Sequence, residues 1–197
     1  MSSVEAVLRR LGHDLAGVGW ALVGGFAVSA RAEARFTRDV DLVVVVRDDA
    51  EAESLVGRLL QTGHRLTASI EQTATGRLAT VRLIPPGVTD DGTVADLLFA
   101  SSGIEHEIVA AAQPLEIVPG LTVPVASTGH LIALKLLARD DETRPMDAAD
   151  LRALRAVAGD AELAVAGAAV GLITTRGYAR DRDLAAALSA LVGDPRP

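Results

Sequence analysis

Two aspartates stand one residue apart at the start of an apolar run. Asp39 and Asp41 flank Val40, and no further charged residue follows until Arg47. On a β-strand, residues two apart point to the same face, with their Cα atoms ~6.5 Å apart. Two ionised carboxylates at that separation repel each other by roughly 3 kcal/mol at an effective dielectric constant near 20, which favours a cation between them. The pair therefore predicts a site for Mg²⁺, which prefers oxygen ligands and takes one or two carboxylates together with substrate phosphates.

The same Asp-x-Asp spacing occurs a second time, at Asp181 and Asp183. A helix is expected to start there, and a favourable interaction with the helix dipole explains this second pair. The spacing alone therefore carries little information, and the position at the mouth of a buried strand is what distinguishes the first pair. For Asp39 and Asp41, a capping or surface role is the alternative to a metal site.

Two adjacent glycines precede the aspartates. Gly24 and Gly25 follow a short apolar run and open a segment of good helix formers. Backbone N–H groups at such a helix start, with no Cβ to block them, can receive a phosphate, whereas simple turn geometry is the alternative explanation. Arg31, Arg35 and Arg38 then follow within eight residues. They suit a polyphosphate or a nucleic-acid backbone, and solvated surface arginines are the alternative.

Composition limits the classes of function. The chain has 197 residues, 49% of them apolar, with no cysteine and a net charge of −7. Any metal must therefore be held by oxygen or imidazole ligands, and the negative charge argues against a large nucleic-acid-binding surface, which normally needs a basic face. The four histidines show no metal-ligand spacing, and no Ser/His/Asp arrangement is evident. Covalent hydrolysis is therefore disfavoured.

No segment is predicted to cross a membrane. The longest apolar stretch, residues 163–173, has about half the length that a bilayer-spanning helix needs, and charged residues occupy the N-terminus. We therefore expect a cytoplasmic protein.

Hydrophobic periodicity predicts helices and strands in the first part of the chain. Helices are predicted at residues 3–17, 26–34 and 50–61. Strands are predicted at residues 20–23, 40–46, 66–70, 78–84, 93–99, 115–118 and 121–125. The β-branched run at 40–46 is typical of a central strand covered on both faces. Turn residues such as Asp90 and Asp91 separate the later strands, which indicates a mixed sheet with antiparallel pairs.

The chain from residue 127 onward is predicted to be entirely helical. Ser127 or Thr128 caps a helix that runs to about residue 138, and further helices begin near residues 145–147, 160 and 181. The sequence therefore predicts an α/β (α+β) fold. We expect an α/β domain over residues 1–125 and a C-terminal helical domain over residues 126–197.

Four segments together resemble a known family. Residues 23–25 (Val-Gly-Gly) and 37–42 (Thr-Arg-Asp-Val-Asp-Leu) resemble the opening signature of the nucleotidyltransferase superfamily related to DNA polymerase beta. Residues 134–139 (Leu-Lys-Leu-Leu-Ala-Arg) and 144–151 (Arg-Pro-Met-Asp-Ala-Ala-Asp-Leu) are similar to a later part of the AbiEii/AbiGii-type toxins within that superfamily. The order and spacing of the four segments make the resemblance more specific than any one of them.

The resemblance implies a mixed sheet with flanking helices and a reaction that moves a nucleoside monophosphate (NMP) from an NTP to a hydroxyl. Asp39 and Asp41 are then ligands of Mg²⁺ or Mn²⁺, and two such ions clamp the attacking and leaving oxygens. A third carboxylate is expected from a neighbouring strand. Asp96 is the candidate, as a metal ligand and as a base for the acceptor hydroxyl. A solvent-facing strand aspartate is the alternative interpretation of Asp96.

Five further residues are implied to bind the nucleotide: Gly24, Gly25, Arg38, Lys135 and Asp147. Lys135 is the only lysine in the chain, and its ammonium would reach the triphosphate as a point charge. A surface lysine is the alternative. Asp147 and Asp150 either shape the nucleotide pocket or simply start a helix.

The sequence leaves the acceptor open. The resemblance implies RNA or a protein as the acceptor and a cognate antitoxin as a partner. Adenylylation of a small molecule such as an aminoglycoside and an inactive nucleotide-binding module are the alternatives. Met146 stands where such toxins commonly have lysine, which favours the inactive module, and Gly25 lacks the hydroxyl of the serine found in many superfamily members.

Overall fold

A mixed β-sheet forms the centre of the protein, whose computed structural model describes residues 3–33, 37–72, 75–89, 92–140 and 146–193. Within these ranges the sheet has seven strands: β1 (Trp20–Val23), β2 (Val40–Val44), β3 (Arg65–Glu71), β4 (Leu78–Ile84), β5 (Ala95–Leu98), β6 (Gln113–Val118) and β7 (Leu121–Val125). The same ranges contain eight helices: α1 (Ser3–Asp14), α2 (Gly24–Arg31), α3 (Asp49–Gln61), α4 (Glu105–Ala110), α5 (Thr128–Ala138), α6 (Met146–Val157), α7 (Asp160–Thr175) and α8 (Leu184–Gly193). The predicted mixed α/β fold is confirmed.

Strand β2 lies in the middle of the sheet, whose strand order is β3-β4-β5-β2-β1-β7-β6. It pairs with β1 antiparallel and with β5 parallel. Val40, Leu42, Val43 and Val44 are completely buried. The prediction of a central strand covered on both faces is therefore correct, and it rests on the β-branched character of this segment.

The short helix α4 was not expected from the sequence pattern, because six residues are too few for a helical period to stand out. Its start is held by Glu105, whose carboxylate accepts hydrogen bonds from the backbone N–H and hydroxyl groups of Ser101 and Ser102 at 2.7–3.3 Å. Capping of α5 by Ser127 is confirmed, since the Ser127 hydroxyl accepts a hydrogen bond from the His130 N–H. Local polar contacts therefore set both helix starts.

One hydrophobic core extends through both predicted domains. It includes Leu8 of α1, Leu42 of β2, Leu131 of α5 and Ile173 of α7, each at most 1% exposed. The boundary at residue 125 stays a prediction. Predicted features at Arg35, Asp90, Asp91 and Arg144 lie outside the described residues. Across the described ranges, no helix is long and apolar enough to cross a membrane.

A buried carboxylate ties the end of α1 to the connection between α3 and β3. The Asp14 side chain is 4% exposed, and its Oδ2 accepts hydrogen bonds from Arg10 Nε at 2.6 Å and from His64 Nε2 at 2.8 Å. Burial alone would raise the pKa of Asp14. The hydrogen bonds from His64, Arg10 and His13 outweigh burial and lower this pKa from 3.8 to about 2.

Replacing Asp14 by asparagine is expected to lower the free energy of unfolding by about 2 kcal/mol at neutral pH. Because the pKa is lower in the folded state, this stabilisation is complete above about pH 4 and disappears as the pH falls towards about 2. Urea unfolding of the wild type and of Asp14→Asn across this range measures it, with the exposed Glu53→Gln as control. Equal stability of Asp14→Asn and the wild type at neutral pH would contradict the expectation.

Candidate active site

Two neighbouring strands, β2 and β5, bring acidic side chains to one edge of the sheet, at the end where both strands begin. Asp41 on β2 pairs in register with Val23 at the end of β1 and with Asp96 on β5. Directly paired residues of neighbouring strands point to the same face, so Asp41 and Asp96 lie side by side. Asp39 immediately precedes β2 and lies at the same edge. The structure thus brings the three predicted carboxylates together.

Arg82 on β4 completes this group. It pairs in register with Asp96 across the β4–β5 ladder. Its Nε and Nη2 donate hydrogen bonds to the two carboxylate oxygens of Asp96 at 2.8 and 2.7 Å, and its Nη2 lies 3.8 Å from Asp39 Oδ2. The hydrogen bonds to Asp96, together with the charges of Asp39 and Asp41, raise the pKa of Arg82 above its ordinary value. The guanidinium therefore stays charged at every accessible pH.

Asp39 and Asp41 fit a divalent cation by the chemistry of their donors, since Mg²⁺ and Mn²⁺ both accept carboxylate oxygens. Among the described residues, however, no group of three or more carboxylates, imidazoles or thiolates is arranged to hold a metal ion. Asp96 is 9% exposed, and both of its oxygens bind Arg82. The solvent-facing interpretation of Asp96 is therefore wrong, while its role as a third metal ligand stays a prediction.

Gly24 makes room for the Asp41 carboxylate. Its φ angle is +65°, a conformation that disfavours any residue with a Cβ. A Cβ at this position would lie 1.8 Å from Asp41 Oδ2 and 2.5 Å from Asp41 Cγ. Helix α2 starts at Gly24 itself, two residues earlier than predicted, and no side chain caps it among the described residues. The glycine pair thus places a helix start directly against one of the candidate metal ligands.

A cleft of about 1290 Å³ opens beside these side chains. One wall is the sheet, with the aspartates, Arg82 and the apolar side chains of Ile70 and Leu98. The other wall comes from α5, the start of α6 and the connection between α7 and α8. Gly24 and Gly25 line the cleft as well, whereas Arg38 is exposed beside the start of β2. The cleft is large enough for a nucleotide and part of an acceptor.

Lys135 lies on the helical wall of the cleft and is buried, with its side chain 8% exposed. Its Nζ donates to Asp147 Oδ1 at 2.7 Å and lies 2.7 Å from Asp150 Oδ2. The two aspartates are one turn apart on α6 and point to the same face. The interpretation of Lys135 as a surface lysine is therefore wrong. Contact between Lys135 and a triphosphate stays a prediction.

Two further charged residues of the cleft were missed by sequence reasoning. Arg180 and Asp181 have φ angles of 54° and 58° in the connection before α8, and both line the cleft. The helix predicted to begin near residue 181 is observed as α8, which begins at Leu184, and Asp183 accepts the capping hydrogen bond from the Ala186 N–H at 2.9 Å. Left-handed backbone at two successive non-glycine residues has no sequence signal, and it is typical of functional sites.

Comparison with known proteins identifies the family of this chain. The model of the AbiEii toxin family, described as a nucleotidyl transferase of a type IV toxin–antitoxin system, matches residues 6–190. The chain belongs to the AbiEii family. As a member of this family, the protein is a nucleotidyltransferase, and every residue of the candidate site lies within the matched range. A comparison with curated protein sequences finds no match.

Solved structures share the fold of this AbiEii-family protein. An antigenic nucleotidyltransferase-like protein from Paracoccidioides brasiliensis has a TM-score of 0.53 and 23% identity, covering 96% of this chain and 94% of its own. The lincomycin-bound lincosamide antibiotic adenylyltransferase LnuA has a TM-score of 0.51 and 12% identity, covering 79% and 96%. At these identities the two structures support the nucleotidyltransferase fold alone.

Proposed function

We propose that the protein transfers an NMP from an NTP to a hydroxyl of an RNA or protein acceptor, with Mg²⁺ or Mn²⁺ at Asp39 and Asp41. The observation that carries this proposal is the meeting of Asp39, Asp41 and Asp96 at one sheet edge, against a glycine that no other residue can replace without a clash. Surface or capping aspartates would not need such a close backbone approach.

The described residues support distinct roles in this reaction. Asp39 and Asp41 hold the metal, and the backbone at Gly24 and Gly25 leaves space for the phosphates. In the transfer, the acceptor oxygen bonds to the α-phosphorus, the bond to pyrophosphate breaks, and Asp96 is the candidate to take the hydroxyl proton. When bound, a divalent ion supplies charge neutralisation of the triphosphate and of the leaving pyrophosphate.

The proposal is tested with each of the four NTPs labelled at the α-phosphate, incubated with the protein, Mg²⁺ or Mn²⁺, and bacterial extract. The expected result is label in the RNA or protein fraction and none from the same NTP labelled at the γ-phosphate. Transfer of the γ-label would contradict the proposal. Nucleotide binding without any transfer would indicate the inactive module instead.

Adenylylation of a small cationic molecule is the second candidate function, because the cleft is acidic. Its described lining carries six carboxylates, including Glu71 and Asp181, against three cations. The LnuA fold likeness is compatible with this activity without supporting it. Label in the small-molecule fraction, after addition of an aminoglycoside or lincosamide, would favour this alternative over RNA or protein.

Membership of the AbiEii family also suggests a partner and a cellular location for the protein. The type IV toxin–antitoxin description supports a cognate antitoxin, which we propose as a partner of this system without a direct contact being required. A reaction that consumes NTPs is consistent with a cytoplasmic location, which we propose on that ground. Co-expression of the protein with a candidate antitoxin tests the first of these proposals, and relief of any growth arrest that the protein causes is the expected result.

A further inference from the structure

A guanidinium lies where the three carboxylates of the sheet edge converge. Arg82 uses two of its N–H groups on the two oxygens of Asp96, and its Nη2 is 3.8 Å from Asp39 Oδ2. This fork geometry engages both Asp96 oxygens at once. A metal ion that takes Asp96 as a ligand must therefore share these oxygens with the guanidinium, whose positive charge opposes metal binding there.

The pair is built so that the arginine covers the aspartate. Arg82 and Asp96 are held opposite each other by the β4–β5 register. The Arg82 side chain is 45% exposed and the Asp96 side chain only 13%, so the guanidinium lies on the cleft side of the carboxylate. A flexible, half-exposed side chain can leave without disturbing the backbone, whereas the carboxylate beneath it is fixed in place.

We infer that Arg82 is a positioning residue that withholds Asp96 from the divalent metal until a nucleotide enters the cleft. This inference rests on the proposed function, because it assumes a metal at Asp39 and Asp41. Arg82 and the metal compete for the same oxygens of Asp96. The polyphosphate of the NTP offers the planar guanidinium a second bidentate acceptor, so the ligand that arrives with the metal also releases Asp96.

Competition between Arg82 and the metal predicts the direction in which Mn²⁺ affinity changes when Arg82 is removed. In the absence of nucleotide, the three carboxylates and Arg82 carry a formal net charge of −2, and removal of the guanidinium makes this charge more negative, at −3. Arg82→Gln is therefore expected to bind Mn²⁺ at least about tenfold more tightly than the wild type when no nucleotide is present. A non-transferable α,β-methylene NTP is expected to tighten Mn²⁺ binding strongly in the wild type and much less in Arg82→Gln, because Asp96 is already free there.

The experiment is a Mn²⁺ titration of the full chain, followed by electron paramagnetic resonance of free Mn²⁺, with and without the methylene analogue. Arg47→Gln is the matched control, because Arg47 is 83% exposed and follows β2, at the end opposite to Asp41. Arg82→Lys keeps the positive charge but cannot donate the same pair of hydrogen bonds to the two oxygens of Asp96. We expect its Mn²⁺ affinity to lie between those of the wild type and Arg82→Gln. In Arg82→Gln/Asp96→Asn the gain in affinity is expected to vanish, because it requires the freed carboxylate.

Equal Mn²⁺ affinity of the wild type and of Arg82→Gln, with both proteins folded, would overturn the inference. The same would follow if Arg82→Gln/Asp96→Asn kept the full gain. A separate variant distinguishes this failure from failure of the proposed function. If Asp39→Asn/Asp41→Asn binds Mn²⁺ as well as the wild type, the metal site itself is wrong, and the inference about Arg82 fails with it.

Discussion

Replacement of Gly24 by alanine is expected to reduce NMP transfer by roughly 100-fold or more, because catalysis of this kind depends on ångström-level placement of the reacting groups. The new Cβ would meet Asp41 Oδ2 at 1.8 Å, so either the carboxylate or the start of α2 has to move. The φ angle of +65° adds about 1 kcal/mol of backbone strain. Transfer of α-phosphate label, measured alongside thermal unfolding, separates the loss of activity from the loss of stability.

Gly57→Ala is the matched control for this variant. Gly57 lies inside α3, and a Cβ built there meets nothing within 4 Å. Alanine at such a helix position is expected to stabilise the protein by up to about 1 kcal/mol and to leave activity unchanged. If Gly24→Ala retained wild-type transfer, Gly24 would not be part of the site, and its close approach to Asp41 would be incidental.

Replacement of Lys135 by methionine is expected to be the most destabilising single change in the cleft. Methionine keeps much of the side-chain volume but removes the ammonium from Asp147 and Asp150, whose side chains are only 3% and 2% exposed. Breaking a buried ion pair from one side costs about 3–5 kcal/mol. In a chain of this size that loss lowers the midpoint of thermal unfolding by roughly 10 °C.

Two further variants test whether the uncompensated buried charges cause the destabilisation of Lys135→Met. Lys135→Met/Asp147→Asn/Asp150→Asn removes the uncompensated charges and is expected to recover most of the stability while remaining inactive. Arg152→Met changes an exposed residue of α6, the helix that carries Asp147 and Asp150. This variant is expected to change the free energy of unfolding by less than about 0.5 kcal/mol. A Lys135→Met protein as stable as Arg152→Met would contradict the buried ion-pair account.

The sequence was sufficient to predict strand β2, with Asp39 and Asp41 at its start, because two local signals coincide there. A β-branched run identifies a central strand, and the preceding glycines identify a turn into a helix. Both signals depend on residues close together in the chain. The predicted positions of Asp39, Asp41 and Gly24 at one site followed from them, and the structure adds the close approach of Gly24 to Asp41.

Arg82 escaped prediction because its importance depends on strand register. Like Asp96, it is a charged residue inside an apolar strand, which indicates a partner if it is buried. Only the β4–β5 ladder reveals that the two are each other's partner. The burial of Lys135 was equally hidden, because its neighbours Asp147 and Asp150 come from another helix whose packing on α5 has no local signal.

The most direct measurement of the central claim compares α-phosphate transfer by the wild type, by Asp39→Asn/Asp41→Asn and by Asp183→Asn. Asparagine keeps the shape of each side chain and removes its charge, and Asp183, from the second Asp-x-Asp pair, caps α8. We expect transfer to fall by at least about 10³-fold in the double variant and to stay near the wild-type level in Asp183→Asn. Undiminished transfer by a folded Asp39→Asn/Asp41→Asn protein would contradict the assignment of the active site to this edge of the sheet.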